Sequence, residues 1–321
     1  MMSKYKVVIA DSRYPAYDQE LSVLAEIDAE VVIERSDDQD KVAAALAGAD
    51  GLIVNLAPIT AKVIEAMDKC KCVSRYGVGY DNVDTDAIKA KGIFLANVPD
   101  YCAEDVSDHA FALFMDSVRK VSRKDRLVRQ GQWNLTGIQE VCRVAGKTFG
   151  FVGYGMIART FHRKLAGFGL GRVLVADPFV SSEEAEKAEA ELVSLDKLCE
   201  EADFISIHAP LLPATTGMIG KEQFAQMKNT AIVINTSRGP LVDEDALVEA
   251  LTGGEIACAG LDVFSTEPLS TESKLRQLEN VTLTDHAGWY SVESMVELKT
   301  KAAKNIVDTL TQGKPTYPVE L

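Results

Sequence analysis

Short apolar runs alternate with segments of helical spacing along the first third of the chain. The runs are rich in Val and Ile and too short for helices, so they are predicted strands. The intervening segments carry apolar residues three or four positions apart, which predicts helices. Strands that alternate with helices favour a parallel sheet covered on both faces. The predicted strands are residues 6–10, 30–34, 51–55, 72–75 and 92–97, and the predicted helices are 17–27, 42–47 and 60–67.

The same alternation resumes after a long amphipathic segment. Residues 104–129 have apolar positions at helical spacing and are predicted to form one long helix, suited to a bridge between domains. His109 lies on it and is interpreted as a core or interface histidine rather than a catalytic one. The later predicted strands are 148–152, 172–176, 204–209, 231–235, 256–262 and 281–284, and the later predicted helices are 158–168, 183–191, 217–227, 244–251 and 294–310.

A glycine-rich turn with the spacing G-x-G-x-x-[GA] follows the strand at 148–152. Gly153 permits a tight turn, Gly155 lets a pyrophosphate approach the backbone, and the small Ala158 lets the next helix pack closely. Asp177 ends the following strand, about 20 residues on, where a carboxylate accepts hydrogen bonds from ribose hydroxyls. This order of elements predicts a dinucleotide-binding unit; a plain βαβ crossover with a glycine-rich turn is the alternative.

The residues around Asp177 bear on the choice of cofactor. A carboxylate at this position repels the 2′-phosphate of NADP. The next residues, Pro178 and Phe179, supply no cation to hold that phosphate. The sequence therefore predicts NAD as the cofactor.

Composition narrows the class of protein. The chain has 321 residues, 47% hydrophobic and 26% charged, which is enough for two domains and typical of globular proteins. Its net charge of −14 makes nucleic acid and anionic membranes poor partners. It contains no apolar run near the roughly 20 residues of a membrane span, and its N-terminal segment lacks a signal-peptide pattern. The six cysteines are scattered without a metal-binding cluster. We therefore expect a cytoplasmic protein with reduced thiols, no metal and no membrane partner.

Ionisable residues gather at predicted strand ends, where ligands bind in open parallel sheets. Arg238, Glu267 and His286 all have such positions, and so does Asp262. A histidine can exchange a proton at neutral pH, a carboxylate beside it favours its protonated form, and an arginine can hold a carboxylate and polarise a carbonyl. Together they predict catalysis; a surface ion pair and a satisfied buried histidine are the alternative interpretation.

The segment RYGVGYDNVD, residues 75–84, places two glycines around Val78. Such a turn can expose consecutive N–H groups as an anion-binding nest. A plain strand-to-helix turn fits the segment equally well, so the residues alone leave both interpretations open.

Motifs over nearly the whole chain resemble those of D-isomer-specific 2-hydroxyacid dehydrogenases. They are GVGYDNVD, GFVGYGMIA followed by ADP, HAPLLPATTGMIG, INTSRGPLVDEDALVEAL, AGLDVFSTEP and DHAGW. In that family, residues matching Arg238, Glu267 and His286 form a catalytic triad. The resemblance implies an NAD(H)-dependent oxidoreductase that interconverts a small 2-keto acid and the D-2-hydroxy acid by hydride transfer, with His286 as general acid and base.

The resemblance also implies which residues surround the ligands. Around NAD it places Val78, Val152, Gly153, Tyr154, Gly155, Met156, Ile157, Asp177, Pro178, Ile207, His208, Ala209, Pro210, Leu211, Leu212, Thr236, Ser237, Arg238, Asp262, His286 and Gly288. Around the substrate it places Arg75, Tyr76, Gly77, Val78, Gly79, Arg238, His286 and Trp289, with the backbone N–H groups of residues 76–79 offered to the substrate carboxylate.

The implied fold class is α/β, with two Rossmann-like or flavodoxin-like parallel-sheet domains. The substrate domain is expected to be discontinuous, residues 1–98 plus 291–321, and the NAD-binding domain to be residues 99–290. The two crossings would form a hinge that closes over the ligands. Members of the family are usually dimers through the nucleotide domain, so we expect a homodimer.

Within the family, NVPDYCAEDVSDHA and HAGWYSVES most resemble the C-terminal-binding-protein type. That branch includes transcriptional corepressors, so an NAD(H)-sensing scaffold is one alternative function. A phosphoglycerate dehydrogenase acting on an acidic 2-hydroxy acid is another. Arg75 could receive a second anionic group of such a substrate, or it could be a structural ion-pair partner.

Overall fold

The computed structural model of the protein describes residues 4–133 and 141–321, so the first residues of the segment considered for a signal peptide lie outside it. The chain forms two compact units. One extends to Cys102 and includes Ser291–Leu321, and the other is Ala103–Tyr290. Each unit contains one sheet whose strands all pair in parallel. The predicted fold class, two parallel-sheet α/β domains, is confirmed.

The first unit contains the strands β1 (Tyr5–Ala10), β2 (Ala29–Glu34), β3 (Gly51–Val54), β4 (Cys72–Arg75) and β5 (Phe94–Ala96). Its first helices are α1 (Asp18–Leu24), α2 (Gln39–Ala45), α3 (Ala61–Glu65) and α4 (Thr85–Lys91), with a 3-10 turn at Ala25–Ile27. The strand order β2-β1-β3-β4-β5 is that of flavodoxin-like sheets. Because β3 and β4 lie inside the sheet, their residues are mostly buried apolar ones.

The second unit contains the strands β6 (Thr148–Val152), β7 (Arg172–Ala176), β8 (Glu191–Leu192), β9 (Phe204–Ile207), β10 (Ile232–Asn235), β11 (Cys258–Leu261) and β12 (Val281–Leu283). Its helices are α5 (Ala103–Arg119), α6 (Val121–Arg129), α7 (Met156–Leu165), α8 (Ser182–Lys187), α9 (Leu195–Glu201), α10 (Lys221–Gln226) and α11 (Glu244–Gly253), with 3-10 turns at Ala166–Phe168, Gly239–Leu241 and Lys274–Gln277. The strand order is β12-β11-β10-β9-β6-β7-β8. It reverses at β6, which pairs with both β7 and β9, and ligands of such sheets bind beyond the carboxyl ends of the strands at this point.

The last helix, α12 (Val292–Gln312), belongs to the first unit. The hydroxyl of Ser74 on β4 donates to the carbonyl of Ala302 at 2.9 Å. On β3, a Cβ atom at Gly51 would lie 2.9 Å from Cγ2 of Ile306, so the glycine lets the helix approach the sheet. The end of the chain therefore covers strands formed near its beginning.

The single helix predicted over residues 104–129 is wrong, because the chain breaks between α5 and α6. Lys120 has left-handed backbone angles, with φ of 59°. The side chain of Asp116 accepts the N–H of Ser122 at 2.7 Å and so begins α6 in a new direction. Lys120 is neither Gly nor Pro, so the local sequence carries no signal for this break.

The helix predicted over residues 217–227 begins only at Lys221. Gly217 has φ of 66°, and its N–H donates to the carbonyl of Pro240 at 2.8 Å. The residues before α10 are therefore hydrogen-bonded to the segment that follows β10 and do not form a helical turn.

Residues 4–133 and 141–321 contain no helix that is long and apolar enough to cross a bilayer. This part of the chain also holds no group of three or more His, Cys, Asp or Glu side chains placed to bind a metal ion.

Candidate active site

The turn after β6 has the geometry of a phosphate-binding loop. Gly153 has φ of 82°, and a Cβ atom there would lie 2.6 Å from the backbone nitrogen of Ala209. A Cβ at Gly155 would meet nothing within 4 Å, so open space adjoins the backbone at this position. The first turn of α7 contains no acidic residue, and the N–H groups at a helix N-terminus favour an anion.

Asp177 holds this turn in place. Its Oδ2 accepts the N–H of Tyr154 at 2.7 Å, and its Oδ1 accepts the N–H of Phe179 at 2.8 Å. Each carboxylate oxygen has a second lone pair, so both can still accept a ribose hydroxyl. The sequence predicted only the ligand-binding role; the structure adds that Asp177 fixes the glycine turn.

The loops after β9 and β10 are joined to one another. The hydroxyl of Ser237 donates to the carbonyl of Ala209 at 2.7 Å. Thr236 is 9% exposed, and among the described residues its hydroxyl has no hydrogen-bond partner. A buried hydroxyl without a partner is costly, so a ligand that supplies one would be stabilised here.

His208, in the loop after β9, is a partly exposed histidine that stays neutral. Burial lowers its pKa to about 3, and one ring nitrogen lies 2.8 Å from the hydroxyl of Ser206. The backbone N–H of His208 donates to the carbonyl of Val152 at 2.7 Å. His208 therefore extends the pairing of β6 with β9 rather than carrying a charge in the site.

Two of the predicted catalytic residues are in direct contact. Nδ1 of His286 lies 2.6 Å from Oε2 of Glu267, whose Oε1 accepts the N–H of Phe264 at 3.0 Å. Burial alone would raise the pKa of Glu267, but these hydrogen bonds and the charges of His286 and Arg238 outweigh it and hold the pKa below its usual value. Glu267 is therefore an anion at neutral pH, and it fixes the orientation of the imidazole.

Arg238 comes close to this pair because two loops touch at a glycine. A Cβ atom at Gly239 would overlap the carbonyl carbon and oxygen of Phe264. This contact joins the loop after β10, which carries Arg238, to the loop that carries Glu267. The guanidinium of Arg238 also donates to the carbonyl of Ser237 at 2.8 Å, which restrains its direction.

Asp262 clamps the segment that carries His286. Its carbonyl accepts the N–H of His286 at 2.8 Å, while its Oδ1 and Oδ2 accept the N–H groups of Ala287 and Gly288, each at 2.9 Å. These bonds hold His286 at φ of 57°, a left-handed conformation that few non-glycine residues adopt. A Cβ at Gly288 would lie 2.9 Å from Oδ2 of Asp262, so this position requires glycine.

The segment that carries these loops matches a known family. Residues 111–288 match the model of the D-isomer specific 2-hydroxyacid dehydrogenase, NAD binding domain. This chain belongs to that family. The predictions of an NAD-dependent oxidoreductase and of NAD as cofactor are thereby confirmed at the level of the family.

Several relatives support the assignment over most of the chain. The chain is 41% identical to the glyoxylate reductase of Korarchaeum cryptofilum over 280 residues, 86% of this chain and 81% of the relative. It is 39% identical to the D-3-phosphoglycerate dehydrogenase of Mycobacterium tuberculosis over 308 residues, which are 95% of this chain but only 57% of that relative. The crystal structure of D-lactate dehydrogenase from Aquifex aeolicus, complexed with NAD and lactic acid, has a TM-score of 0.85 and 26% identity, with 96% of both chains covered. The resemblance to the C-terminal-binding-protein branch stays a prediction.

His109 supports the Asp262 clamp. This role of His109 was not predicted from the sequence. Its Nε2 lies 3.2 Å from Oδ1 of Asp262 and 2.9 Å from the hydroxyl of Thr284. Burial would raise the pKa of Asp262, but the hydrogen bonds from His109, Thr284 and the two backbone N–H groups lower it. The spacing of residues along α5 was the one available signal for this contact. His109 lies one helical turn before Leu113, and Leu113 packs against Gly260 of β11.

In the first unit, the turn after β4 exposes a row of N–H groups. The carbonyl of Gly77 accepts the N–H of Val98 at 2.9 Å, and the carbonyl of Val78 accepts the side-chain amide of Asn97 at 2.8 Å. Among the described residues, the N–H groups of Gly77, Val78 and Gly79 have no acceptor. Because the carbonyls are anchored and the N–H groups are not, the turn has the character of an anion nest.

The N–H group of Tyr76 was predicted to belong to this row, but it does not. Its N–H donates to the carbonyl of Val54 at 2.9 Å, which continues the pairing of β4 with β3. Its side chain is 2% exposed, and its hydroxyl donates to Glu20 at 2.6 Å. Both polar groups of Tyr76 that could donate are therefore used within the unit.

The two remaining predicted substrate contacts lie in different units. The guanidinium of Arg75 donates to the carbonyl of Tyr76 and lies over Gly77, beside the row of N–H groups. Trp289 is half-buried, and its ring meets that of Tyr290 edge-on at a centroid distance of 5.7 Å. Their contacts with a substrate stay predictions.

Proposed function

We propose that this protein is an NAD(H)-dependent oxidoreductase that interconverts a small 2-keto acid and the D-2-hydroxy acid. The observation that carries the proposal is the 2.6 Å contact between His286 and Glu267, beside Arg238, in the segment that matches the family's NAD-binding domain. A relative named glyoxylate reductase and a structural neighbour named D-lactate dehydrogenase, crystallised with lactic acid, support short 2-keto acids as the substrates.

In the proposed reaction, bound NADH supplies a hydride to the keto carbon. Protonated His286 donates its Nε2 proton to the keto oxygen, and it takes that proton back when the reaction runs in reverse. Glu267 stabilises the imidazolium because it stays anionic and bonded to Nδ1. Arg238 holds the substrate carboxylate and polarises the carbonyl through its fork of N–H donors.

The residues around the glycine turn fit the cofactor. The open space at Gly155 and the N-terminus of α7 would hold the pyrophosphate, and Asp177 would accept the adenosine ribose hydroxyls. The hydroxyl of Thr236, which has no partner among the described residues, would bond to the cofactor from the loop after β10. Of the other predicted contacts around NAD, Val78 lies in the turn after β4 in the first unit, and the rest lie in or beside the loops after β6, β7, β9 and β10 or in the clamp of Asp262.

The first unit is proposed as the substrate domain. There, the N–H groups of Gly77, Val78 and Gly79 would bind the substrate carboxylate. The second unit is proposed as the NAD-binding domain and as the surface through which two copies form a homodimer.

A phosphoglycerate dehydrogenase activity is the second candidate function. It is favoured by the 39% identity to the mycobacterial enzyme over 95% of this chain, although the chain spans only 57% of that relative. The position of Arg75 beside the N–H row also suits a substrate with a second anionic group.

A turnover assay with NADH and a panel of 2-keto acids tests the proposal. Pyruvate and hydroxypyruvate should be reduced to their D-2-hydroxy acids and glyoxylate to the achiral glycolate, whereas 3-phosphoglycerate with NAD should be oxidised far more slowly. If NADH binds but no 2-keto acid is turned over, the enzyme proposal fails and the NAD(H)-sensing scaffold is favoured.

Replacing Glu267 by Gln should move the pH optimum for reduction downward by about one unit or more. Because the pKa of Glu267 is lowered, the carboxylate is ionised around neutral pH and stabilises the imidazolium; Gln keeps the shape but removes the charge. The proton donor is then lost at a lower pH. The pH–rate profile of kcat checks this result, and an unchanged profile would remove Glu267 from its role.

NADH should be preferred over NADPH by roughly 5- to 10³-fold in kcat/KM, from a charge repulsion of about 1–4 kcal/mol at Asp177. Replacing Asp177 by Ala should relax this preference. Asp177→Asn is the matched variant, since it removes the charge but keeps one oxygen for the N–H of Tyr154. Equal kcat/KM for both cofactors in the unchanged protein would contradict the assignment.

Replacing Arg75 by Ala should raise KM for a dianionic substrate about 10- to 10²-fold more than for pyruvate or glyoxylate, because only the dianion would use a second charge-assisted hydrogen bond. Arg75→Lys should recover part of the difference. A rise that is equal for all substrates would mean that Arg75 binds the shared carboxylate or only stabilises the turn.

A further inference from the structure

Lys120 is a buried lysine in a strained backbone conformation. It is 7% exposed, and its φ of 59° lies in the left-handed region. Lysine is rarely buried without an ionic partner, and an unpaired buried ammonium is costly. Within residues 4–133 and 141–321, no carboxylate lies within salt-bridge distance of its Nζ atom. Instead, Nζ donates to Sγ of Cys258.

The contact lies at a strained point of the backbone. Lys120 stands at the break between α5 and α6, and its side chain reaches the first residue of β11. Strained backbone persists only where the surroundings hold it, and it concentrates at functional positions. No step of the proposed dehydrogenase mechanism uses either residue.

The pair is open to small molecules from one side. Lys120 and Cys258 both line a small surface pocket between α5, α6 and the strands β11 and β12. Ser117 lines the same pocket, is 4% exposed and, among the described residues, has a hydroxyl without a hydrogen-bond partner. A small polar reagent that entered the pocket would therefore find a hydrogen-bonding group beside the sulfur.

We propose that Lys120 and Cys258 form a modification site at which a peroxide joins the two side chains covalently. With Nζ as an ammonium that donates to Sγ, the thiolate of Cys258 attacks one oxygen of hydrogen peroxide. The O–O bond breaks, which leaves a sulfenic acid on Cys258 and one water once the ammonium proton is returned. The amine then attacks Sγ, so that an N–S bond forms, the S–O bond breaks and a second water leaves. One peroxide is reduced to two waters, and the thiol and amine are oxidised to a sulfenamide.

Four of the other cysteines differ from Cys258 in their surroundings. Burial raises the pKa of Cys70, Cys72 and Cys199 to about 12, so these thiols stay protonated and unreactive. Cys142 is a candidate competitor for a sulfenic acid on Cys258. Burial raises its pKa, although the charges of Lys147 and Lys120 lower it in part, which places Cys142 near Lys120.

Peptide mapping of the full chain after graded treatment with hydrogen peroxide tests the site. After alkylation of the remaining thiols and digestion, the peptide of Lys120 should be linked to the peptide of Cys258, with a mass two hydrogens below their sum. Trypsin should fail to cleave after the linked lysine. Dithiothreitol should reverse the link and restore one titratable thiol per chain.

Two variants serve as controls. Lys120→Met keeps an unbranched side chain but lacks the amine, so its Cys258 should proceed to the sulfinic acid without a link. Cys258→Ser should give no link at all. If either variant folds poorly, peptide mapping of the unchanged chain still shows whether the link forms. The proposal would be overturned if Cys258 stays reduced, if it is over-oxidised beside an unmodified Lys120, or if it forms a disulfide with Cys142.

Discussion

Replacing His286 by Asn should lower kcat for reduction by about 10²–10⁴-fold, the usual contribution of a positioned general acid. Asparagine is chosen because it tolerates the left-handed conformation that His286 adopts, with φ of 57°. The Asp262 clamp should then be preserved, and only the proton donor is lost. Steady-state kinetics with NADH and the best 2-keto acid measure the effect, with the melting temperature as the check on folding.

A double variant separates the roles of His286 and Glu267. Because Glu267 acts through the imidazole, adding Glu267→Gln to His286→Asn should lower kcat little further. Independent, additive losses would show that Glu267 contributes without His286. A His286→Asn protein whose kcat stays within threefold of the unchanged protein would refute the proposed general acid.

Replacing Gly239 by Ala should lower kcat/KM by about 10²-fold, although Gly239 touches no reacting atom in the proposed mechanism. The added methyl would overlap the carbonyl of Phe264, so the loop with Arg238 must move away from the loop with Glu267. Displacements of about 1 Å in an active site cost rate on this scale. Overpacking should also destabilise the fold by roughly 1–3 kcal/mol, which a lowered melting temperature would report.

Gly155→Ala is the matched control for this substitution. Its added methyl meets no protein atom within 4 Å, and Gly155 has ordinary negative φ, so the melting temperature should hardly change. The expected loss is in NADH affinity, because the methyl would occupy the space proposed for the pyrophosphate. If Gly239→Ala keeps full kcat/KM, the contact with Phe264 does not position Arg238.

Local patterns were sufficient to predict the glycine turn and eleven of the twelve strands in the described residues. The strand β8 was missed, because Glu191 was placed at the end of a helix predicted over residues 183–191. The strands at 148–152 and 172–176 were predicted with the bounds of β6 and β7, because a buried parallel strand is a continuous apolar run bounded by polar residues or glycine. The contact of His286 with Glu267 was also predicted, since both follow strands whose carboxyl ends meet at one edge of the sheet. These inferences depend on short segments and a general rule of topology.

Contacts between distant buried polar residues could not be predicted in the same way. The hydroxyl of Tyr76 donates to Glu20, which lies 56 positions earlier in the chain. No local feature of either segment indicates that these two residues form a hydrogen bond. The same holds for His109 with Asp262 and for the helix break at Lys120. In each case tertiary packing outweighs the local preference on which the sequence-based interpretation depended.

The placement of α12 on the first unit has a consequence for synthesis of the chain. Ser74 on β4 meets its partner Ala302 only 228 positions later. At the usual 5–20 residues per second, the ribosome needs roughly 11–46 s to cover that distance. The second unit is one continuous segment, Ala103–Tyr290, and is fully translated before α12 exists. During that interval the nascent strands β3 and β4 lack the helix that covers them, so the first unit depends on protection from aggregation until the end of the chain emerges.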